Sequence, residues 1–151
     1  RGDLSPTSRE VLAQARVGQG KFRNDLVVLW GRKEVCALTG IDVPELLIAS
    51  HIKPWRESSD SERLDPCNGL LLAAHVDKAF DRYLCSFSEQ GGDFYLSLHP
   101  RVLSAMKLAG VRANARLVVS HMNLSQSRRF SSFMADHYRR HLAGVHAFKP
   151  T

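Results

Sequence analysis

The chain has 151 residues, 44% hydrophobic and 24% charged, a balance that suits one globular domain with a sizeable core. No apolar run approaches the roughly 20 residues of a membrane span, and the polar N-terminal stretch contains no signal-peptide core. Net charge is +6, from 21 Lys and Arg against 15 acids, which suits a polyanionic partner without requiring one. The three cysteines are far apart and form no C-x-x-C, so a disulfide framework or structural zinc is not expected, and a reducing cytoplasm is. The chain opens on Arg1 without Met, which fits a piece of a larger protein.

Taken in order, Arg1–Thr7 reads as a loose lead-in broken by Gly2 and Pro6, and Ser8 as the cap of a short helix. After Gly18 and Gly20, the residues Phe22, Leu26, Leu29 and Trp30 fall on one face of an amphipathic helix that Gly31 ends. Arg16, Lys21 and Arg23 gather at its front, where they can contact phosphates or simply face solvent. Glu34–Gly40 reads as a short strand entering a turn, and Leu46–Ile52 as a buried strand.

Further on, Tyr83–Phe87 and Phe94–Leu98 are strand-like and flank a Gly-containing loop, the pattern of a β-hairpin. Pro100 suits a first helical position, with Leu103 and Met106 facing inward, and Arg116–Ser120 reads as one more strand. Phe130, Phe133, Met134, Tyr138 and Leu142 then mark a C-terminal amphipathic helix, with Arg128, Arg129, Arg139 and Arg140 on its other face. This divides a single domain into a lead-in over 1–15, a core over 16–98 and a helical part over 99–151.

The chemistry concentrates between Leu47 and Asp81. Leu47-Ile48-Ala49-Ser50-His51-Ile52-Lys53-Pro54-Trp55 ends an apolar strand on a histidine. Asp65-Pro66-Cys67-Asn68-Gly69-Leu70-Leu71-Leu72 places an Asn just before a second strand, and Asn-Gly is itself a turn signal. His75-Val76-Asp77-Lys78-Ala79-Phe80-Asp81 then sets Asp77 and Asp81 at i and i+4, on one helix face. Like charges so placed repel by a few tenths of a kcal/mol, a repulsion that a shared divalent cation converts into ligation by hard oxygens.

These motifs resemble the HNH nucleases in order, spacing and flanking apolar residues, and a Cys-Ala-x-Thr-Gly segment at Cys36–Gly40 extends the likeness upstream. The resemblance implies an α+β fold: a ββα-metal finger with an added β-hairpin and flanking amphipathic helices. It implies a metal-dependent endonuclease acting on double-stranded DNA, with His51 as general base and Asn68 bracing the loop that carries the base. Asp77 and Asp81, with His75 as a further candidate, would hold a divalent metal, magnesium or manganese.

Asp77 stands nine residues after Asn68, where the wider superfamily has its last His, and Ser50 stands where many members have a ligand Asp. Lys53, Arg56 and Arg82 are phosphate-contact candidates, while Trp55 is expected as a core anchor. The biology implied is bacterial restriction or defence, with an N-terminal sensor or recognition domain in the full chain. The departures at Ser50 and Asp77 leave a second reading open, a nucleic-acid-binding module with a degenerate finger.

Overall fold

A computed structural model describes residues 6–119 and 122–151. Its first element, α1, runs from Pro6 to Leu29 without a break. Ser8 therefore lies inside the helix rather than capping it, and Gly18 and Gly20 do not interrupt it. Glycine in a helix costs about 1 kcal/mol relative to Ala, but Phe22 and Leu26 are fully buried just beyond, and that packing carries the helix through. The expectation of a loose lead-in over Arg1–Thr7 fails for residues 6 and 7, and residues 1–5 lie outside the described residues. Gly31, at φ 102°, ends the helical run as expected.

No strand forms over Glu34–Gly40. That segment makes a turn over Ala37–Thr39, yet the Ala37 N–H donates to Leu71 O at 2.9 Å, so it still closes one edge of the finger. The strand β1 (Leu47–His51) then pairs antiparallel with β2 (Gly69–Ala73), Leu47 opposite Ala73 and His51 opposite Gly69. β1 is less buried than its apolar composition suggests, because Ile48 faces solvent at 41% exposure while Leu47 and Ser50 are buried. β2 is buried throughout, held between α1 and the helix α3 (Ala74–Asp81), which follows it directly.

Between the two strands lies α2 (Asp60–Leu64), begun by a capping box. Ser59 Oγ accepts from the Glu62 N–H at 3.2 Å, and the Glu62 carboxylate accepts from the Ser59 N–H at 2.9 Å. The hairpin of β3 (Cys85–Gln90) and β4 (Asp93–Leu98) turns at Gly91 and Gly92, whose φ values of 60° and 85° fit the left-handed positions of a tight two-residue turn. A short 3-10 turn at Pro100–Val102 leads into α4 (Leu103–Leu108). Met106 is buried there, but Leu103 is 46% exposed, contrary to the inward orientation expected for it.

Arg116 forms only an isolated bridge to Tyr95 rather than a strand, and Ser120 lies outside the described residues. Together these elements form the expected α+β arrangement, a ββα unit of β1, β2 and α3 with a hairpin and flanking helices.

The last helix, α5 (Leu124–Ala147), packs on β3 and on the 3-10 turn before β2. Its buried face is Phe130, Met134, His137 and His141, so two histidines stand where a purely apolar stripe was expected. His137 Nε2 donates to Phe80 O at 2.9 Å, and its Nδ1 accepts from Ser86 Oγ at 2.7 Å. His141 Nδ1 donates to Tyr83 O at 2.8 Å, and its Nε2 lies 2.9 Å from Ser97 Oγ. Four satisfied ring nitrogens explain how two polar rings fit a core, because buried polar atoms are tolerated when bonded. Nor are all the arginines of the outer face unpaired: Arg129 pairs with Asp65 at 3.0 Å, and Arg140 with Glu57 at 2.7 Å.

Burial pushes the His137 imidazolium pKa down to about 4. A proton therefore binds the unfolded chain, near its ordinary pKa of about 6.5, more readily than the folded one. The stabilisation from neutral His137 is complete above that value and fades as the pH falls toward 4, by roughly 3 kcal/mol in all. Urea melts at neutral pH and at stepwise lower pH should show this loss, and His137→Gln should flatten it.

Candidate active site

The finger's geometry rests on the approach of α1 to the start of β2. The Phe22 ring stacks on the His51 ring with centroids 3.9 Å apart and planes 8° from parallel. Gly69 makes room for it: a Cβ there would lie 2.4 Å from Phe22 Cζ. Gly69 has φ −160°, extended backbone open to any residue. The glycine is thus required by the close approach of a ring rather than by a turn, and the Asn-Gly turn reading is corrected accordingly.

Asn68 is fully buried and makes three bonds across the loop after His51. Its Oδ1 accepts from the Lys53 N–H at 2.8 Å, its Nδ2 donates to Glu62 O at 3.1 Å, and its carbonyl accepts from the Ile52 N–H at 3.0 Å. The chain leaving β1 is thereby tied to the chain entering β2. Arg23, expected as a phosphate contact, serves the fold instead, donating to Leu47 O at 2.9 Å and Pro44 O at 3.1 Å.

His51 Nε2 lies 2.8 Å from Arg63 O. A carbonyl oxygen only accepts, so Nε2 carries the proton and Nδ1 is the basic nitrogen. Burial lowers the His51 pKa, and the nearby Arg63 charge lowers it further, while the bond to the Arg63 carbonyl partly opposes them. The balance favours the neutral ring. Arg63 is itself held in place: its guanidinium stacks 3.8 Å above the Trp55 ring, and its Nε donates to Trp55 O at 2.8 Å. Trp55 is 44% exposed on the rim, not the core anchor expected.

His51, Ser50, Asp77 and Asp81 line one cleft of about 610 Å³, with Arg56 and Arg82 also on its walls. Ser50 Oγ donates a short hydrogen bond to Asp77 Oδ1. Burial raises the Asp77 carboxyl pKa and the neighbouring Asp81 charge adds to this, whereas the Ser50 bond and Lys78 act the other way. A half-buried carboxylate beside a second carboxylate is a hard-oxygen pair suited to magnesium, which takes one or two protein carboxylates and completes its shell with water and phosphate. Among the described residues no group of three His, Cys, Asp or Glu converges as a ready-made cage.

The remaining candidates are dispersed. His75 is absent from the cleft, and its Nε2 is buried with no hydrogen-bond partner. Two positions before Asp77, it points to another side of α3. Lys53 Nζ is engaged by the Glu62 carboxylate at 2.9 Å, and Lys21 by Asp25 at 2.8 Å. Arg16 lies exposed on the outer part of α1. The cysteines are buried and free, and burial pushes the Cys67 thiol up to about 11. Sequence reasoning missed Glu57, Tyr83 and Arg140, which also line the cleft. Only the placement of Arg140 beside the inward positions of α5 hinted at it.

Gly69→Ala should displace Phe22 and with it the His51 ring, lowering stability by about 1–3 kcal/mol, the usual cost of overpacking. A second change, Phe22→Leu, should recover part of that loss by removing the offending ring atoms. Thermal melts of the two single variants and the double variant measure the coupling; additive losses would mean that the two residues do not meet.

A comparison with curated proteins finds no match. Residues 36–88, from the turn at Cys36 to Ser88 in β3, match the family model described as HNH endonuclease. That stretch contains the paired strands, the loop between them and α3, so all of the cleft's lining except Arg140 lies within the segment similar to HNH endonucleases.

Proposed function

We propose that the protein is a metal-dependent DNA endonuclease in which His51 is the general base. The observation that carries this reading is the His51 ring, its Nε2 engaged by Arg63 O, in the same cleft as Asp77 and Asp81. With Nε2 occupied, Nδ1 takes the proton of a water placed against the scissile phosphorus. The Phe22 stack and the Asn68 bonds keep the ring in that orientation. Arg56 and Arg82 position the strand through phosphate oxygens without reading bases.

Asp77 and Asp81 would hold the cation, magnesium or manganese. When bound, it supplies the Lewis acidity that steadies charge on the phosphorane-like transition state and the departing 3′ oxygen. By its resemblance to nucleases of restriction systems, we place the activity in bacterial defence, in the cytoplasm, with a recognition domain elsewhere in the full chain. Among the described helices none is long and apolar enough to cross a membrane.

The alternative is a nucleic-acid-binding module with a degenerate finger, which the departures at Ser50 and Asp77 favour. Incubating the protein with supercoiled plasmid in magnesium and then in EDTA separates the readings. Nicking or linearisation only with metal supports the nuclease, and binding without cleavage supports the module.

His51→Ala should reduce cleavage about 10²–10⁴-fold. Duplex affinity should stay near the wild-type value, because no phosphate contact is removed. Normal cleavage by this variant would rule out the assignment.

Asp77→Asn separates the charge of this residue from its shape. A carboxyl pKa raised on folding means that ionised Asp77 costs stability, a cost absent at low pH that appears as the pH rises through the folded value. Without metal, at neutral pH, the Asn variant should therefore melt higher than wild type. The stabilisation that magnesium gives wild type should shrink in the variant, since a ligand stabilises only through its affinity for the native state. A variant that melts lower and keeps its metal response would mean that Asp77 is a structural acid and the cation sits elsewhere.

A further inference from the structure

Outside the matched segment, α5 sends one cationic side chain into the cleft. Arg140 meets Glu57 through two bonds, Nη2 to Oε1 at 2.7 Å and Nη1 to Oε2 at 3.1 Å. Its Nη1 also donates to Tyr83 Oη at 3.0 Å, and its Nε lies 3.3 Å from an Asp136 carboxylate oxygen. Two parallel N–H···O bonds to one planar anion is the geometry with which arginine grips a carboxylate or a phosphate alike. An exposed ion pair adds little to stability, so stability alone does not account for a guanidinium held by three side chains, Glu57, Tyr83 and Asp136, at the wall of a cleft.

Tyr83 supplies an independent observation. Its φ is 58°, in the left-handed region that bulky residues avoid, so it is a backbone outlier in the cleft wall. The conformation is held from both sides: its carbonyl accepts from His141 Nδ1 at 2.8 Å, and its ring lies 4.6 Å from that of His137. The result is a phenol hydroxyl aimed at Arg140. Glu57, for its part, also feels the charges of Arg56 and Lys53, so cationic neighbours remain for it should Arg140 be taken by another anion.

We propose that Arg140 is a phosphate-binding residue for the nucleic-acid strand, and that Glu57 is an internal stand-in that a backbone phosphate displaces on binding. The proposal rests on the nuclease reading above and extends it to a residue outside the HNH segment, brought to the cleft by α5 and oriented by Tyr83. The exchange swaps one bidentate oxyanion for another on the same guanidinium, and no covalent bond changes.

The test is fluorescence anisotropy of a short labelled duplex in EDTA across a salt series, with cleavage in magnesium measured alongside and thermal melts confirming that each variant folds. Glu57→Gln should tighten binding several-fold, because the phosphate no longer competes with a carboxylate. Arg140→Ala should weaken it roughly tenfold, the scale of one charged hydrogen-bonded contact, and reduce the salt slope by about 0.9. Arg140→Lys keeps the charge but loses the fork, and should fall between them; it replaces Arg140→Ala should that variant not fold. If the pair were only a structural clamp, both single changes would loosen α5 and neither would tighten binding. A Glu57→Gln protein that binds no better than a wild type that binds and cuts overturns this proposal alone. A wild type that neither binds nor cuts overturns the nuclease reading, and this proposal with it.

Discussion

The contact on which most of the site depends is a ring laid flat on another ring. Phe22 arrives from α1, His51 from the end of β1, and the space for their 3.9 Å stack exists because position 69 has no side chain. Each participant is constrained by the others: Phe22 is fully buried, and the pairing of β1 with β2 sets His51 opposite Gly69. A histidine at a strand end would otherwise sample several rotamers. Here the stack and the bond to Arg63 O leave it one orientation and one tautomer. Position 69 therefore needs glycine for its volume, at a backbone conformation that any residue could adopt.

The electrostatics of the cleft follow from the same packing. Burial drives His51 toward its neutral form and Asp77 toward protonation, in both cases by penalising the charged state. For the histidine this favours a basic nitrogen at neutral pH. For the carboxylate it leaves a tension that the Ser50 bond only partly relieves. The two groups stand in one cleft with arginines on its walls, so imidazole, carboxylates and guanidinium groups are concentrated there in a way that the overall charge of +6 does not reveal.

Much of this was legible in the sequence because the signals are local. The placement of Asn68 before β2 and the shared helix face of Asp77 and Asp81 follow from spacings within a few dozen residues, and the resemblance carried by those motifs implied the ββα arrangement. What was not legible depended on contacts between distant segments. Arg23 reads as a free cation until the carbonyls of Pro44 and Leu47 are found beneath it. His137 and His141 interrupt an apolar stripe, and only the hydroxyls and carbonyls facing them show why they are buried. Gly18 and Gly20 resemble breakers because propensity is weak beside tertiary packing. Arg140 was assigned to the outer face because no local pattern records that Glu57, 83 positions away, lies opposite it.

The bond that sets the His51 tautomer has a consequence for how firmly the ring is held. Its acceptor is the carbonyl of Arg63, in a helix of five residues. A helix that short does not persist in water by itself. It stands because Ser59 and Glu62 cap each other, because Lys53 pairs with Glu62, and because Arg63 lies over Trp55. All of these are exposed or half-exposed contacts, whereas β2 beside them is buried throughout. Opening is least costly where few apolar contacts must break. The tautomer of the His51 ring therefore depends on a turn that contributes no buried residue of its own and is held largely by polar contacts.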